Sequence, residues 1–251
     1  MTYRKLLLEK KGHVACIRLR LDGATLDDAA LAELAAAVHA VNDDDEAYAV
    51  LLSSEGDAFC RGWDLAGLSQ PSARSVGSRS FSFLSDLSRP VVAAIKGEAL
   101  SAGLELALAC DVRIAGEGAR FGLPETALGL LPAGGGTQRL PRIVGRAKAL
   151  EMVLLGEAID AREALRCGLV SRVVPDDRVD AEALALAEEI AARGPIAVRY
   201  AKEAVLRGME MPLEQALRFE TELTVILQTT EDRAEGVRAF LEKRRPRFGG
   251  R

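Results

Sequence analysis

Aromatic residues are scarce in this chain: Phe, Tyr and Trp make up 4% of its 251 residues, with Trp63 the single tryptophan. A surface that stacks successive bases needs more of them. With 33 basic and 37 acidic residues the formal charge is −4, so there is no global attraction toward nucleic acid or an anionic membrane. Histidine is limited to His13 and His39, one beside a strand start and one in an Ala-rich helical run, and both read as structural or surface residues. No serine sits in a G-x-S-x-G elbow, which disfavours Ser–His–Asp chemistry. The four cysteines, Cys16, Cys60, Cys110 and Cys167, form no C-x-x-C pair. That spacing argues against a zinc site and for a thiol-reduced, cytoplasmic protein. No stretch of about 18 uncharged apolar residues predicts a membrane span. The apolar run Leu6 to Leu8, closed by Glu9, Lys10 and Lys11, is too short for a signal peptide.

What is present is the composition of an ordinary globular domain, 49% hydrophobic and 28% charged. Residues 14–21 alternate apolar and basic as a strand with one wet face does, while 48–53, 91–95, 111–115 and 169–174 are short apolar runs that predict buried strands. Residues 27–41 place Leu31, Leu34 and Val38 at helical spacing after an Asp. Helical patterns separate the runs, so the class is α/β. Residues 66–89, rich in Ser and Gly, predict a mobile connection leading to a short helix near Phe81 to Leu87. Helices are expected from Asp180, Pro195 and Pro212 and over 231–244, with a loose tail after them. No repeat of fixed period is evident.

Three stretches carry candidate chemistry. In KGEALSAGLELALACD, residues 96–111, the small residues Ser101, Ala102 and Gly103 open a helix that is apolar all round, with Glu105 its lone charge. Polar neighbours at helical spacing are largely missing. Glu105 is therefore either buried or cleft-lining, with a raised proton affinity, or an acid stabilised by the helix N-terminus. The small residues before it fit either a donor site for a carbonyl or phosphate oxygen or close helix–sheet packing. In residues 119–145, Glu125 is the only acid between Glu117 and Glu151, either lining a cavity or exposed on a loop after Pro124. The run Gly134 to Gly136 matches neither a P-loop nor a dinucleotide fingerprint. The third stretch, AFCRGWDLAGL at 58–68, places Gly62 and Trp63 at a strand-to-loop turn.

Together and in this order, these stretches resemble the enoyl-CoA hydratase (crotonase) family. The resemblance runs from about residue 14 to 248. It is strongest from PVVAAIKGEALSAGLELALACD onward and returns in EDRAEGVRAFLEKRRPRF. It implies a crotonase-type spiral of repeated ββα units over 1–190, carrying an acyl-CoA site, and a C-terminal helical trimerisation region over 191–251. It implies a homotrimer or dimer of trimers. It also implies oxyanion donors at the main-chain N–H groups of Trp63 and Ala102, and acid–base glutamates at Glu105 and Glu125, whose separation, 125 − 105 = 20, is the family spacing. Substrate contacts are implied at Cys60, Arg61, Gly62, Asp64, Leu65, Ala133 and Gly134. The expected reaction is hydration of a 2-enoyl-CoA to the 3-hydroxyacyl-CoA, with no metal and no cofactor beyond the CoA of the substrate. Another reaction of the family on an acyl-CoA, or a non-catalytic acyl-CoA-binding member, is the alternative. Several positions depart from the usual pattern: Ser101-Ala102 for two glycines, Trp63 for Ala, Ala133 for Gly, a shortened segment near 20–30, and an added acid, Glu98.

Overall fold

The computed structural model describes residues 3–64 and 81–251. Its frame is a six-stranded sheet ordered β1-β2-β4-β6-β8-β11. These strands are β1 (Leu6–Lys11), β2 (Val14–Leu19), β4 (Ala49–Ser54), β6 (Val91–Ile95), β8 (Val112–Gly116) and β11 (Arg172–Val174). Only β1 and β2 pair antiparallel; the remaining pairs are parallel. The apolar runs VVAAI and AVLLSS are wholly buried because both faces of the sheet are covered. Alternate residues separate cleanly, as a period of two demands. Val50, Leu52, Val91, Ala93 and Ile95 join the main core. Ala49, Leu51, Val92 and Ala94 face the helix Val179–Ala191, whose Ala183, Ala187 and Ala191 let it approach closely.

The main core lies under a second, smaller layer. It consists of β7 (Glu98–Leu100), β9 (Arg120–Gly122) and β10 (Ile159–Asp160), with β3 (Thr25–Leu26) paired parallel to β5 (Gly62–Trp63). An isolated bridge between Cys60 and Ala99 joins the two small sheets. The described helices are α1 (Asp28–Asn42), α2 (Ser82–Ser85), α3 (Ala102–Leu108), α4 (Gly136–Val144), α5 (Arg146–Leu155), α6 (Ala161–Arg166), α7 (Val179–Ala191), α8 (Pro195–Gly208), α9 (Leu213–Leu227) and α10 (Glu231–Leu241). Asp27 caps α1 by accepting from the Ala30 N–H, and Pro195 stands in the first turn of α8. None of these helices is long and apolar enough to cross a membrane.

Several sequence expectations need correction. The helix expected over Phe81 to Leu87 is the single turn Ser82–Ser85, and most of the connection before it, residues 65–80, lies outside the described residues. The strand expected over 169–174 begins only at Arg172; Leu169 and Val170 instead bond back to Ala164 at the end of α6. The strand β1 and the short strands of the second layer are additions. The tail is not loose. Asp232 is buried, its carboxylate accepts the Gly249 and Gly250 N–H groups at 2.7 and 2.9 Å, and its own N–H donates to the Arg251 carbonyl. The helical region is tied to the sheet by Lys202, which donates to Asp111 at 2.7 Å and to the Arg89 carbonyl at 2.9 Å.

One close approach fixes α3 against the second layer. A Cβ added at Gly103 would stand 2.0 Å from the Cys60 carbonyl oxygen. Backbone has to move to accommodate it, so Gly103→Ala is expected to destabilise the protein by about 1–3 kcal/mol. Thermal unfolding should show a lowered midpoint; an unchanged midpoint would mean that this contact is not rigid.

Candidate active site

β7 ends at Leu100, and the chain turns into α3 through Ser101, whose N–H donates to the Gly122 carbonyl. Ser101 has φ 51°, a left-handed value that costs a residue with a Cβ of order 1–3 kcal/mol. The turn brings the start of α3 against the segment carrying Gly62 and Trp63. That segment is held beside β7 by the Cys60 N–H donating to Glu98 and the Leu100 N–H donating to Cys60, both at 2.9 Å. Gly62 lies so close that a Cβ there would stand 2.9 Å from the Ser101 Cβ. The Trp63 indole stacks nearly parallel on Phe81, centroids 5.8 Å apart, and Phe81 meets Phe83 edge-on.

Every residue of α3 is buried, including Glu105 at 0% exposure. Its Oε1 accepts the Gly134 N–H at 2.7 Å and the Gly136 N–H at 2.9 Å. Gly134 leaves no room for a side chain beside the carboxylate, and Gly136 is tight. A Cβ at Gly134 would stand 2.5 Å from Glu105 Oε2, and one at Gly136 would stand 3.0 Å from Oε1. Gly135 between them, at φ 106°, makes the turn that aims both N–H groups inward. Glu125 follows Pro124 in a short 3₁₀ turn, Pro124–Leu128, rather than in an irregular loop, and it too is buried. Among the described residues Glu105 Oε2 and both Glu125 oxygens are buried without a hydrogen-bond partner. Burial pushes the Glu105 carboxyl up to about 7; Glu125 adds to the rise, while the Gly136 and Gly134 N–H groups and the Arg139 guanidinium oppose it.

The other implied contact residues sit in different settings. Cys60 is buried, its thiol pushed up to about 12 by desolvation. Arg61 is exposed and pairs with Glu98 at 2.6 Å and with Asp57. This also places Glu98, whose carboxylate meets Arg61 in that partly exposed pair. Asp64 donates its N–H to the Leu26 carbonyl, Ala133 precedes the glycine turn, and Leu65 lies outside the described residues. Among the described residues no group of three His, Cys, Asp or Glu side chains is arranged to hold a metal. Gly136, Phe81, Arg139 and Ser85 were not anticipated. The glycine run was a visible signal, but a backbone donor aimed at a protein carboxylate looks in sequence like one aimed at phosphate.

The model of the enoyl-CoA hydratase/isomerase family matches residues 9–251. A 2,3-dehydroadipyl-CoA hydratase from Escherichia coli K12 is 39% identical, covering 98% of this chain and 99% of its own. A crotonyl-CoA hydratase from Syntrophomonas wolfei is 38% identical over 99% of both chains. The crystal structure of an enoyl-CoA hydratase from Bacillus anthracis superposes with a TM-score of 0.95 at 38% identity, covering 99% of this chain and 100% of that one.

A carboxyl that titrates near 7 when folded, against an ordinary 4.5, favours folding in its protonated form. The stability tied to that protonation is fully present below pH 4.5 and is lost as the pH rises through 7, a loss of about 3 kcal/mol. Glu105→Gln cannot suffer it. Denaturant unfolding at fixed protein concentration should show the variant gaining on the wild type between pH 4.5 and 8; parallel stability curves would contradict the assignment.

Proposed function

The chain belongs to the enoyl-CoA hydratase/isomerase (crotonase) family, and from that premise we propose that it hydrates a 2-enoyl-CoA to the 3-hydroxyacyl-CoA. The observation that carries this reading is the pair of buried acids. Glu105 and Glu125 come from different elements, interact electrostatically, and leave three of their four carboxyl oxygens without a hydrogen-bond partner among the described residues. Two carboxyls in one dry site suit a reaction that takes a proton from water and gives one to carbon.

In this mechanism the thioester oxygen accepts from the main-chain N–H groups of Trp63 and Ala102. That pulls electron density from Cβ and stabilises the enolate. Glu105, ionised, takes a proton from water as the water oxygen bonds to Cβ. The π electrons move onto the thioester oxygen, and Glu125 gives a proton to Cα as the carbonyl re-forms. Exchange with solvent restores both acids. A base that titrates near 7 suits this role at neutral pH, being both sufficiently ionised and sufficiently basic.

The acyl group lies beside Trp63. Its indole, stacked on Phe81, narrows that end of the site, which favours short, unbranched acyl chains. The helical region 191–251 serves oligomerisation, as a trimer or dimer of trimers. This is supported by the apolar surface it exposes, Leu213, Leu217, Val225 and Phe240 among others.

Loss of the enoyl-thioester absorbance on adding enzyme tests the reaction; tight binding without turnover would favour a non-catalytic acyl-CoA-binding protein. Glu105→Gln and Glu125→Gln should each bind acyl-CoA and lose about 10²–10⁴-fold in turnover, and near-normal turnover would remove that residue from the mechanism. Trp63→Ala should extend the range to longer and branched chains while a short substrate is still hydrated. An unchanged chain-length profile would refute the role of the indole. Light scattering at micromolar concentration should give an oligomeric mass; a monomer would sink the proposed role of the helical region.

A further inference from the structure

Arg139 lies on α4, three residues beyond the second donor to Glu105. Its guanidinium is half-buried, and burial lowers its proton affinity. A cation taken out of water needs its N–H groups met, and here two are met by groups that bear on the site. Nη1 donates to the Gly134 carbonyl at 2.9 Å, and Nη2 donates to Ser85 Oγ at 3.0 Å. Gly134 is the residue whose N–H holds Glu105 Oε1 at 2.7 Å. The guanidinium therefore fixes one side of a peptide unit neighbouring the one that fixes the carboxylate. Its other arm reaches α2, immediately after Phe81, the ring that stacks on Trp63.

We propose that Arg139 is a positioning residue: through Gly134 it sets the direction in which Glu105 presents Oε2, and through Ser85 it keeps that direction in register with the Trp63–Phe81 wall. Lysine cannot substitute, because one ammonium group does not reproduce a planar fork that reaches two fixed acceptors. The cation also acts on the Glu105 charge. Among the described residues, the charged groups that bear on Glu105 are Glu125, from the turn after β9, and Arg139, from α4; Glu105, Asp86 and the Cys110 thiol bear on Arg139. Removing the cation leaves only the Gly134 and Gly136 N–H groups to oppose burial and Glu125, and makes Glu105 harder to ionise.

The proposal rests on the hydratase reading, and the test separates the two. With crotonyl-CoA, Arg139→Gln should lower kcat roughly 10–100-fold with KM little changed, the size of effect that follows from slight misplacement of a reacting group. The acid limb of its kcat/KM profile should move to higher pH. Arg139→Lys should also lose kcat but keep its acid limb nearer that of the wild type. Independently of turnover, the Glu105 carboxyl can be titrated by ¹³C NMR, its signal assigned by its disappearance in Glu105→Gln. Its midpoint should rise in Arg139→Gln. A wild-type protein that hydrates no enoyl-CoA would overturn the hydratase reading, while the NMR titration would still decide the role of Arg139. A folded Arg139→Gln with an unmoved Glu105 midpoint, or with normal kcat in an active wild-type background, overturns the proposal. If Arg139→Gln does not fold, a folded Arg139→Lys with normal kcat does so.

Discussion

A carboxylate removed from water keeps its charge only where other donors replace the water it has lost. For Glu105 those donors are two main-chain N–H groups, from Gly134 and Gly136, both on Oε1. Much else follows from meeting that condition. Gly134 has to be glycine, because a Cβ there would stand 2.5 Å from the carboxylate it holds, and Gly136 is confined by the same carboxylate at 3.0 Å. Gly135 has to turn the chain at positive φ so that both N–H groups converge. α3 has to pass through the interior, and so it is built of Ala, Gly and Leu around one acid. Ser101 accepts a left-handed backbone to start that helix at the correct edge of β7.

Such a site opposes folding. It has a half-satisfied acid, a second buried acid with no partner among the described residues, and a strained turn. Stability has to come from elsewhere, and the sheet supplies it by burying both faces. One face carries the large core under the second layer; the other carries the alanine-lined contact with α7. Polar ties hold the periphery to this frame, Lys202 on Asp111 and Asp232 on the chain's last glycines. Strain at the centre is tolerated because the surrounding structure determines it many times over.

The long parallel strands were legible in sequence because burial on both faces leaves uninterrupted apolar runs such as VVAAI. Glu105 was legible for a related reason: a lone charge without polar neighbours on a helix is conspicuous. Glu125 was legible as an isolated acid, but its 3₁₀ turn was not, since Pro-Glu-Thr-Ala fits several local conformations. The short strands of the second layer have two or three residues each, and no periodicity can be read from so few. The ordered tail was missed because it depends on Asp232, a surface-like residue in sequence that becomes buried only when the last glycines fold over it. Nothing in the sequence marks Arg139: of its two acceptors Gly134 is five residues back along the chain, while Ser85 is 54 residues away and reached only through tertiary contact.

The close approaches at Gly62, Gly103 and Gly134 divide the site into two kinds of material. At Gly103, backbone stands directly against backbone, so there is no side chain to exchange and no slack to take up a change. Trp63 stacks on Phe81, and Phe81 meets Phe83 edge-on. Phe81 is fully buried and packs against Gly134, so it belongs to the frame, whereas the partly buried Trp63 can change with less disturbance. In an evolving lineage, the lining at Trp63 would drift while the frame stayed fixed. Directed evolution of this chain should accordingly begin with Trp63 and leave the glycines and Phe81 alone.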